Sequence, residues 1–484
     1  AGNDFRWWIV GPHGEEVAPR AFGQSNANRV GGSAVYTLGA GDYKLMVDAV
    51  GGTVGDFAFN LFDIRAGQSI ALDSEVTFDL APGSETEIFR IDLQEGDEIS
   101  FERTLGNPYI RVLGPRGDLV FGDNYMSNFG NQVVARTGTY TVLVEGFDGQ
   151  ADASFAFSVQ KHSHTPPPAL SGTALTLGDT VSGAIGLAGE VDRYLFTLAN
   201  AGEVYFDALG WSESTTQFTL RDASGTIENR TFVAADATRL PPGEAAVFAL
   251  AAGTYEVAIS KAATATGAYS FRMLDIGAAA AIEVETPFTG TLAPRSETIA
   301  YRFEAEANQQ MVLDLEALSG RARSIYARII GPDGREILRD GNIETNPSFM
   351  SRAAGQYLLL IEGDPFDQTG EANFTLNLLE VTETTQPITL NTVVSNDLAT
   401  RDFVDNYTLE ITEETLVVFD QQTRLQGGSL RIVGANLDRT FSLDVSNGAQ
   451  GADVVRLRPG SYQLTARTSQ HAGGSYAFWL MDAS

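Results

Sequence analysis

The chain has 484 residues, no cysteine, and a formal net charge of −30 from 32 basic and 62 acidic residues. The missing cysteines exclude thiolate metal sites, thiol nucleophiles and covalent haem attachment. The acidic balance argues against nucleic acid and anionic membranes as partners, since both attract positive charge, and no apolar run of about 18 residues is present to insert as a membrane helix.

Taken from the N-terminus, the first element is Trp7-Trp8-Ile9-Val10-Gly11-Pro12-His13-Gly14, an apolar strand running into turn chemistry. In such a turn proline fixes one backbone position and glycine frees another. Gly41-Asp42-Tyr43 then opens an alternating run, Tyr43, Leu45 and Val47, followed by an aromatic segment Phe57-Ala58-Phe59. No opening strand precedes Trp7. Residues 1–66 therefore read as the C-terminal half of a β-sandwich repeat, as expected of a processed product or a piece of a longer polypeptide.

Residues 67–165 read as a whole repeat. An opening strand, Glu87-Ile88-Phe89-Arg90-Ile91, is followed by Ile110-Arg111-Val112-Leu113-Gly114-Pro115-Arg116-Gly117, then Gly138-Thr139-Tyr140, then Phe155-Ala156-Phe157. The segment His162-Ser163-His164-Thr165-Pro166-Pro167-Pro168 reads as a semi-rigid linker, because consecutive prolines favour an extended chain. Residues 166–277 repeat the pattern with Asp192-Arg193-Tyr194-Leu195-Phe196, Leu220-Arg221-Asp222-Ala223-Ser224-Gly225, Gly253-Thr254-Tyr255 and Tyr269-Ser270-Phe271. Residues 278–381 do so with Ala300-Tyr301-Arg302-Phe303, Ala327-Arg328-Ile329-Ile330-Gly331-Pro332-Asp333-Gly334, Gly355-Gln356-Tyr357 and Phe374-Thr375-Leu376. The alanine run Ala278–Ala281 lacks sustained helical periodicity and reads as a linker or strand entry. Residues 382–484 close the series with Asp405-Asn406-Tyr407-Thr408-Leu409, Leu430-Arg431-Ile432-Val433-Gly434, Gly460-Ser461-Tyr462 and Tyr476-Ala477-Phe478.

Five Gly-x-Tyr marks about one hundred residues apart suit one small β domain per copy. Period-two alternation after each tyrosine places its apolar residues on one strand face. The fold expected is all-β, a tandem array of antiparallel β-sandwich (jelly-roll-like) domains. Tyr43, Tyr140, Tyr255, Tyr357 and Tyr462 are expected to be structural, with the ring buried and the hydroxyl sent to a backbone carbonyl, as in a tyrosine corner. The Gly-x-Tyr strand and the aromatic strand after it, separated by turn-forming residues, read as a hairpin.

In order, these marks resemble the bacterial pre-peptidase C-terminal domain family. The third copy carries the resemblance best: Asp192-Arg193-Tyr194-Leu195-Phe196, then Leu220-Arg221-Asp222-Ala223-Ser224-Gly225, then Leu250-Ala251-Ala252-Gly253-Thr254-Tyr255, then Tyr269-Ser270-Phe271. The chain departs from the family pattern before Gly138 and Gly355, where the leading leucine is lost, and at Phe89 and Tyr301, where the opening aspartate is absent. The resemblance implies compact β-sandwiches found on secreted bacterial hydrolases and large surface proteins, mostly as non-catalytic accessory or targeting modules. Some relatives bind proteins such as collagen and carry calcium. It also implies a secreted or bacterial cell-surface location.

Catalytic chemistry is thinly represented. The four histidines His13, His162, His164 and His471 do not recur in phase, and no motif of a serine hydrolase, zinc protease or phosphate-binding loop occurs. Trp7, Trp8, Trp211 and Trp479 read as core or interface residues. The acidic loops after two Gly-x-Tyr strands are the candidate metal sites: Glu145, Asp148 and Asp152, and Glu362, Asp364, Asp367 and Glu371. Clustered carboxylates on glycine-bent loops match the hard oxygen donors that Ca²⁺ takes. The expected function is a non-catalytic extracellular array, serving as spacer, assembly or adhesive element of a large surface or secreted protein. The alternative is the substrate-targeting region of a secreted protease or other hydrolase. Expected partners are other protein chains or extracellular macromolecules, including self-assembly by strand complementation.

Overall fold

The computed structural model describes residues 5–12, 14–25, 35–49, 54–126, 129–146, 151–212, 214–235, 247–262, 264–381, 384–398, 404–425, 428–434, 437–443, 453–468 and 474–484. Nearly all regular structure in them is β-strand. The chain divides into two compact units: Ala1–Val204 with Trp211–Ala235 and Val247–Met273, and Tyr205–Gly210 with Asp236–Ala246 and Leu274–Ser484.

One sandwich recipe recurs. In residues 68–164 a five-stranded sheet runs in the order Gln68–Ser69, Thr86–Leu93, Gly138–Glu145, Tyr109–Leu113, Leu119–Tyr125. A four-stranded sheet runs Glu75–Leu80, Ala153–His164, Asp97–Leu105, Gln132–Val133. The same two orders return in residues 173–275, 280–380 and 384–482. Among the described residues the strand pairs run antiparallel, except that the short first strand of each five-stranded sheet runs parallel to the opening strand. In these four sandwiches the Gly-x-Tyr strand is the middle one of its five-stranded sheet. In residues 280–380 it is Gly355–Glu362, with Tyr357, Leu359 and Ile361 turned into a core shared with Tyr301, Phe303, Leu313, Ile329, Phe374 and Leu376.

The two turn motifs explain each other. Gly138 holds φ +153°, and a Cβ there would come 2.6 Å from the Pro115 ring. Gly434 lies under a tyrosine ring, where a Cβ would sit 2.1 Å from Tyr462. So the Gly-Pro-x-Gly turn and the Gly-x-Tyr entry are one packed corner, and neither glycine accepts a side chain.

Three expectations are corrected. The Gly-x-Tyr strand and the aromatic strand after it do not form a hairpin. They lie in different sheets, and their connection crosses from one layer to the other. Phe57-Ala58-Phe59 is not a strand. The front segment holds a three-stranded sheet, Gly14–Ala21, Phe5–Gly11, Lys44–Ala49. Among the described residues, no second sheet receives Phe57 and Phe59, which cluster with Phe5 and Phe22 and remain about half exposed. Finally, His162 and His164 belong to the strand Ala153–His164, so the linker starts only at Thr165. Ala280–Ala281 is a short strand after the 3-10 turn Ile276–Ala278.

Candidate functional site

The five tyrosines make one bond. Each hydroxyl donates to the carbonyl four residues earlier: Tyr43 to Gly39 at 2.7 Å, Tyr140 to Arg136 at 2.7 Å, Tyr255 to Ala251 at 2.7 Å, Tyr357 to Ala353 at 2.6 Å and Tyr462 to Arg458 at 2.9 Å. The rings of the last four are buried and that of Tyr43 is half-buried. Burial pushes the Tyr140 hydroxyl up to about 12.

Four of the seven acidic residues expected to hold calcium, Glu145, Glu362, Asp364 and Asp367, lie against arginines. Glu145 is buried 3.9 Å from Arg111 Nε, and Asp152 is exposed and accepts from the Gly83 amide at 3.2 Å. Asp148 lies outside the described residues. In the fourth repeat Glu362 is buried against Arg328 Nε at 3.0 Å, and Arg328 also contacts Glu336. Asp364 and Asp367 share a turn, the Asp367 amide donating to the Asp364 carbonyl at 2.8 Å. Arg323 stands 3.6 Å from Asp364, and Arg295 Nε donates to Asp367 at 2.9 Å. Glu371 is exposed. Calcium on this loop would have to displace Arg295 and Arg323. Among the described residues no three histidine or carboxylate side chains converge in a metal-binding group.

The arginines escaped the sequence reading, although their signal was present. Arg111, Arg328 and Arg431 occupy the same place in three of the Gly-Pro-type strands, one residue before the apolar residue that enters the core, and Thr219 stands there in the third repeat. Arg111 and Arg328 are wholly buried. Burial pulls the Arg328 guanidinium down, but the Glu362 carboxylate outweighs it and holds the group above its ordinary value. In the third repeat the buried partner is Glu256, which takes Arg193 Nη1 at 2.5 Å and the Ser171 amide at 2.9 Å.

The opening aspartates have a local purpose. Tyr269 donates to Asp192 at 2.5 Å and bonds Tyr194 at 2.7 Å. Tyr476 donates to Asp405 at 2.5 Å and meets the Tyr407 hydroxyl. Where the closing strand carries Phe155 or Phe374 there is no hydroxyl to receive, and the opening aspartate is absent.

The remaining candidates are structural in their contacts. His164 Nδ1 and Lys161 Nζ lie 2.7 and 2.6 Å from Asp97, and His162 Nε2 bonds Ser100 at 2.8 Å. Burial pushes Asp97 up, but hydrogen bonds from Lys161, the Gln94 amide and His164 outweigh it and hold the carboxyl below its ordinary value. His13 and His471 lie outside the described residues. Trp7 Nε1 donates to Ser25 at 2.6 Å, and Trp211 packs on Phe232. A shallow cleft lined by Ile64, Arg65, Arg90, Leu113, Pro115 and Thr139 brings no acid and base together. No helix among the described residues is long and apolar enough to cross a membrane.

No family model and no curated protein matches the chain. Among solved structures it is similar to the pre-peptidase C-terminal domain of collagenase from Bacillus anthracis, at 18% identity over 20% of this chain and 96% of that one, TM-score 0.18. It is similar to PliG of Aeromonas hydrophila, a periplasmic inhibitor of g-type lysozyme, at 14% identity over 20% and 96%, TM-score 0.16. It is also similar to the CUB1-EGF-CUB2 region of human MASP-1/3, at 10% identity over 41% and 98%, TM-score 0.15. These likenesses assign no activity or partner to this chain, whose all-β sandwich architecture stands on its own strand pairing.

Proposed function

We propose that this chain is a non-catalytic extracellular array of sandwiches of the pre-peptidase C-terminal type, acting as a spacer and assembly element of a secreted or surface protein. The observation that supports the reading most is how buried polar groups are used at the repeat junctions. Within the second unit, Asp207 accepts from the Thr298 amide at 3.3 Å, Ser296 Oγ donates to the Leu209 carbonyl at 2.8 Å, and Tyr205 meets Thr298 Oγ1 at 3.3 Å. At the next junction Val312, Leu379 and Val381 pack with Val404. Repeats that meet through buried, directional contacts hold a set spacing, whereas loosely tethered ones do not.

The absence of cysteine makes the test clean, because two introduced thiols are the only ones to label. Thr369→Cys and Ser461→Cys, both exposed, place spin labels on the fourth and fifth repeats. The expected result is one narrow distance distribution, broadened by Val312→Asp. A broad distribution in the otherwise native chain would sink the spacer reading. Retention on insoluble collagen or another protein polymer would instead move the reading to substrate targeting.

A further inference from the structure

The two junctions of the second unit share a rule, and the rule leaves two surfaces over. At each junction the outer face of a four-stranded sheet meets the start of the next opening strand. The donor side is marked by Tyr205-Phe206-Asp207 in one case and Val312-Leu313-Asp314 in the other. The receiving side is Thr298 in one and Val404 in the other. These receivers occupy the same register. Thr298 begins a pairing that ends with Ala305 opposite Gly355, and Val404 begins one that ends with Ile411 opposite Gly460.

The fifth repeat carries a third donor face, Val418-Phe419-Asp420. Val418 pairs with Met481 as Val312 pairs with Leu379, and Asp420 pairs with Trp479 as Asp314 pairs with Asn377. Around them stand Val393 at 49% and Val454 at 46% exposure, with Met481, Trp479 and Val418 half-buried. This is an apolar sheet face at the position that the preceding repeats cover. The third repeat carries an unused receiver. Val191 begins a pairing that ends with Leu198 opposite Gly253, which makes it the counterpart of Thr298 and Val404. It is 40% exposed, and Leu187 in the turn before it is 74% exposed. The second repeat offers it no apolar donor, because the matching face there carries Ser100, Glu102, Ser158 and Gln160. That repeat meets the third elsewhere, through the ion pair of Arg136 with Asp222 at 2.7 Å and the bond from the Thr137 amide to the Ser224 carbonyl at 2.6 Å.

We propose that the fifth-repeat donor face of one molecule docks on the Leu187–Val191 receiver of a second copy, so that chains associate head to tail. The occupant follows from continuity with the internal junctions. Asp420 stands where Asp207 stands, and the Val191 amide stands where the Thr298 amide donates to Asp207. Such a contact is heterologous, and repeated it builds rings or open filaments. The proposal rests on the array reading and extends it from spacing within a chain to assembly between chains.

The test is sedimentation velocity of the full chain up to about 100 µM, a range that captures weak association. The native chain is expected to sediment faster as concentration rises. Leu187→Asp removes the receiver and Met481→Lys removes the donor, so each variant alone stays monomeric. Mixed together they form a dimer and nothing larger, since each supplies the one surface the other lacks. If Met481→Lys fails to fold, Val454→Glu on the same face replaces it. A native chain that stays monomeric, a single variant that still associates, or a mixture that does not pair would each overturn the proposal. Narrow label distances without association would remove this inference and leave the spacer reading intact.

Discussion

At the scale of single residues, the tyrosine corner returns in each of the five copies. Its ring is buried in the later four copies, and at Tyr140 and Tyr255 that burial makes the phenol resist ionisation. Burial pushes both Tyr140 and Tyr301 up to about 12. The unfolded phenol ionises near a pKa of about 10. A raised folded value means the stabilisation is complete below the unfolded value and is lost as pH rises towards the folded one. The unfolded chain releases protons first, so stability falls with pH in that window. Thermal melts should therefore hold steady towards pH 9 and drop steeply between about pH 10 and 12. Tyr140→Phe should cost about 1 kcal/mol at neutral pH for the lost hydrogen bond. It should also flatten its share of the alkaline decline. A Tyr140→Phe chain with an unchanged alkaline slope would show that this hydroxyl is not held neutral by the fold.

At the scale of elements, the strands explain which features were readable. Tyr357, Leu359 and Ile361 alternate cleanly, so their strand and its buried face follow from sequence alone. Periodicity does not say which sheet a strand joins, and so the glycine-bent connection after Glu362 reads as a hairpin although it crosses the sandwich. Nor does it say what covers the outer face. Arg328 alternates with Ala327 and Ile329, so strand periodicity alone places it on the outer face of its sheet. It is buried against Glu362 and Glu336. The acids read as metal ligands because they cluster along the chain, whereas the arginines opposite them are brought near only by strand pairing. The buried pair has a measurable consequence. Arg328→Met leaves the Glu362 carboxylate buried without its main countercharge and should cost about 3–5 kcal/mol. Replacing both, Arg328→Met with Glu362→Leu, should recover most of that loss, because an apolar pair of similar size packs without a desolvation penalty. Calorimetry of the two variants checks this. A single variant as stable as the native chain would mean the pair is solvated in solution.

At the scale of the whole molecule, the dominant quantity is the charge. Sixty-two acids against 32 bases leave −30 on the folded chain, and like charges brought together by folding repel one another. Salt screens that repulsion, with a Debye length of about 10 Å at 0.1 M. The melting temperature should therefore rise as NaCl goes from about 10 to 150 mM and then level off, once exposed charges further apart than the Debye length no longer interact. CaCl₂ at matched ionic strength distinguishes screening from binding. Arg295, Arg323 and Arg328 already neutralise Asp367, Asp364 and Glu362, so the expected rise is the same for both salts. A bound ion would act differently. It would add stabilisation that grows with the logarithm of its free concentration and vanishes with chelator. If calcium gave that extra increment, and Asp364→Asn with Asp367→Asn removed it, the loop after Tyr357 would be a metal site whose arginines swing aside on binding. If the two salts act alike, the acidity serves solubility and self-repulsion. The arginine pairs are then the permanent partners of the buried acids.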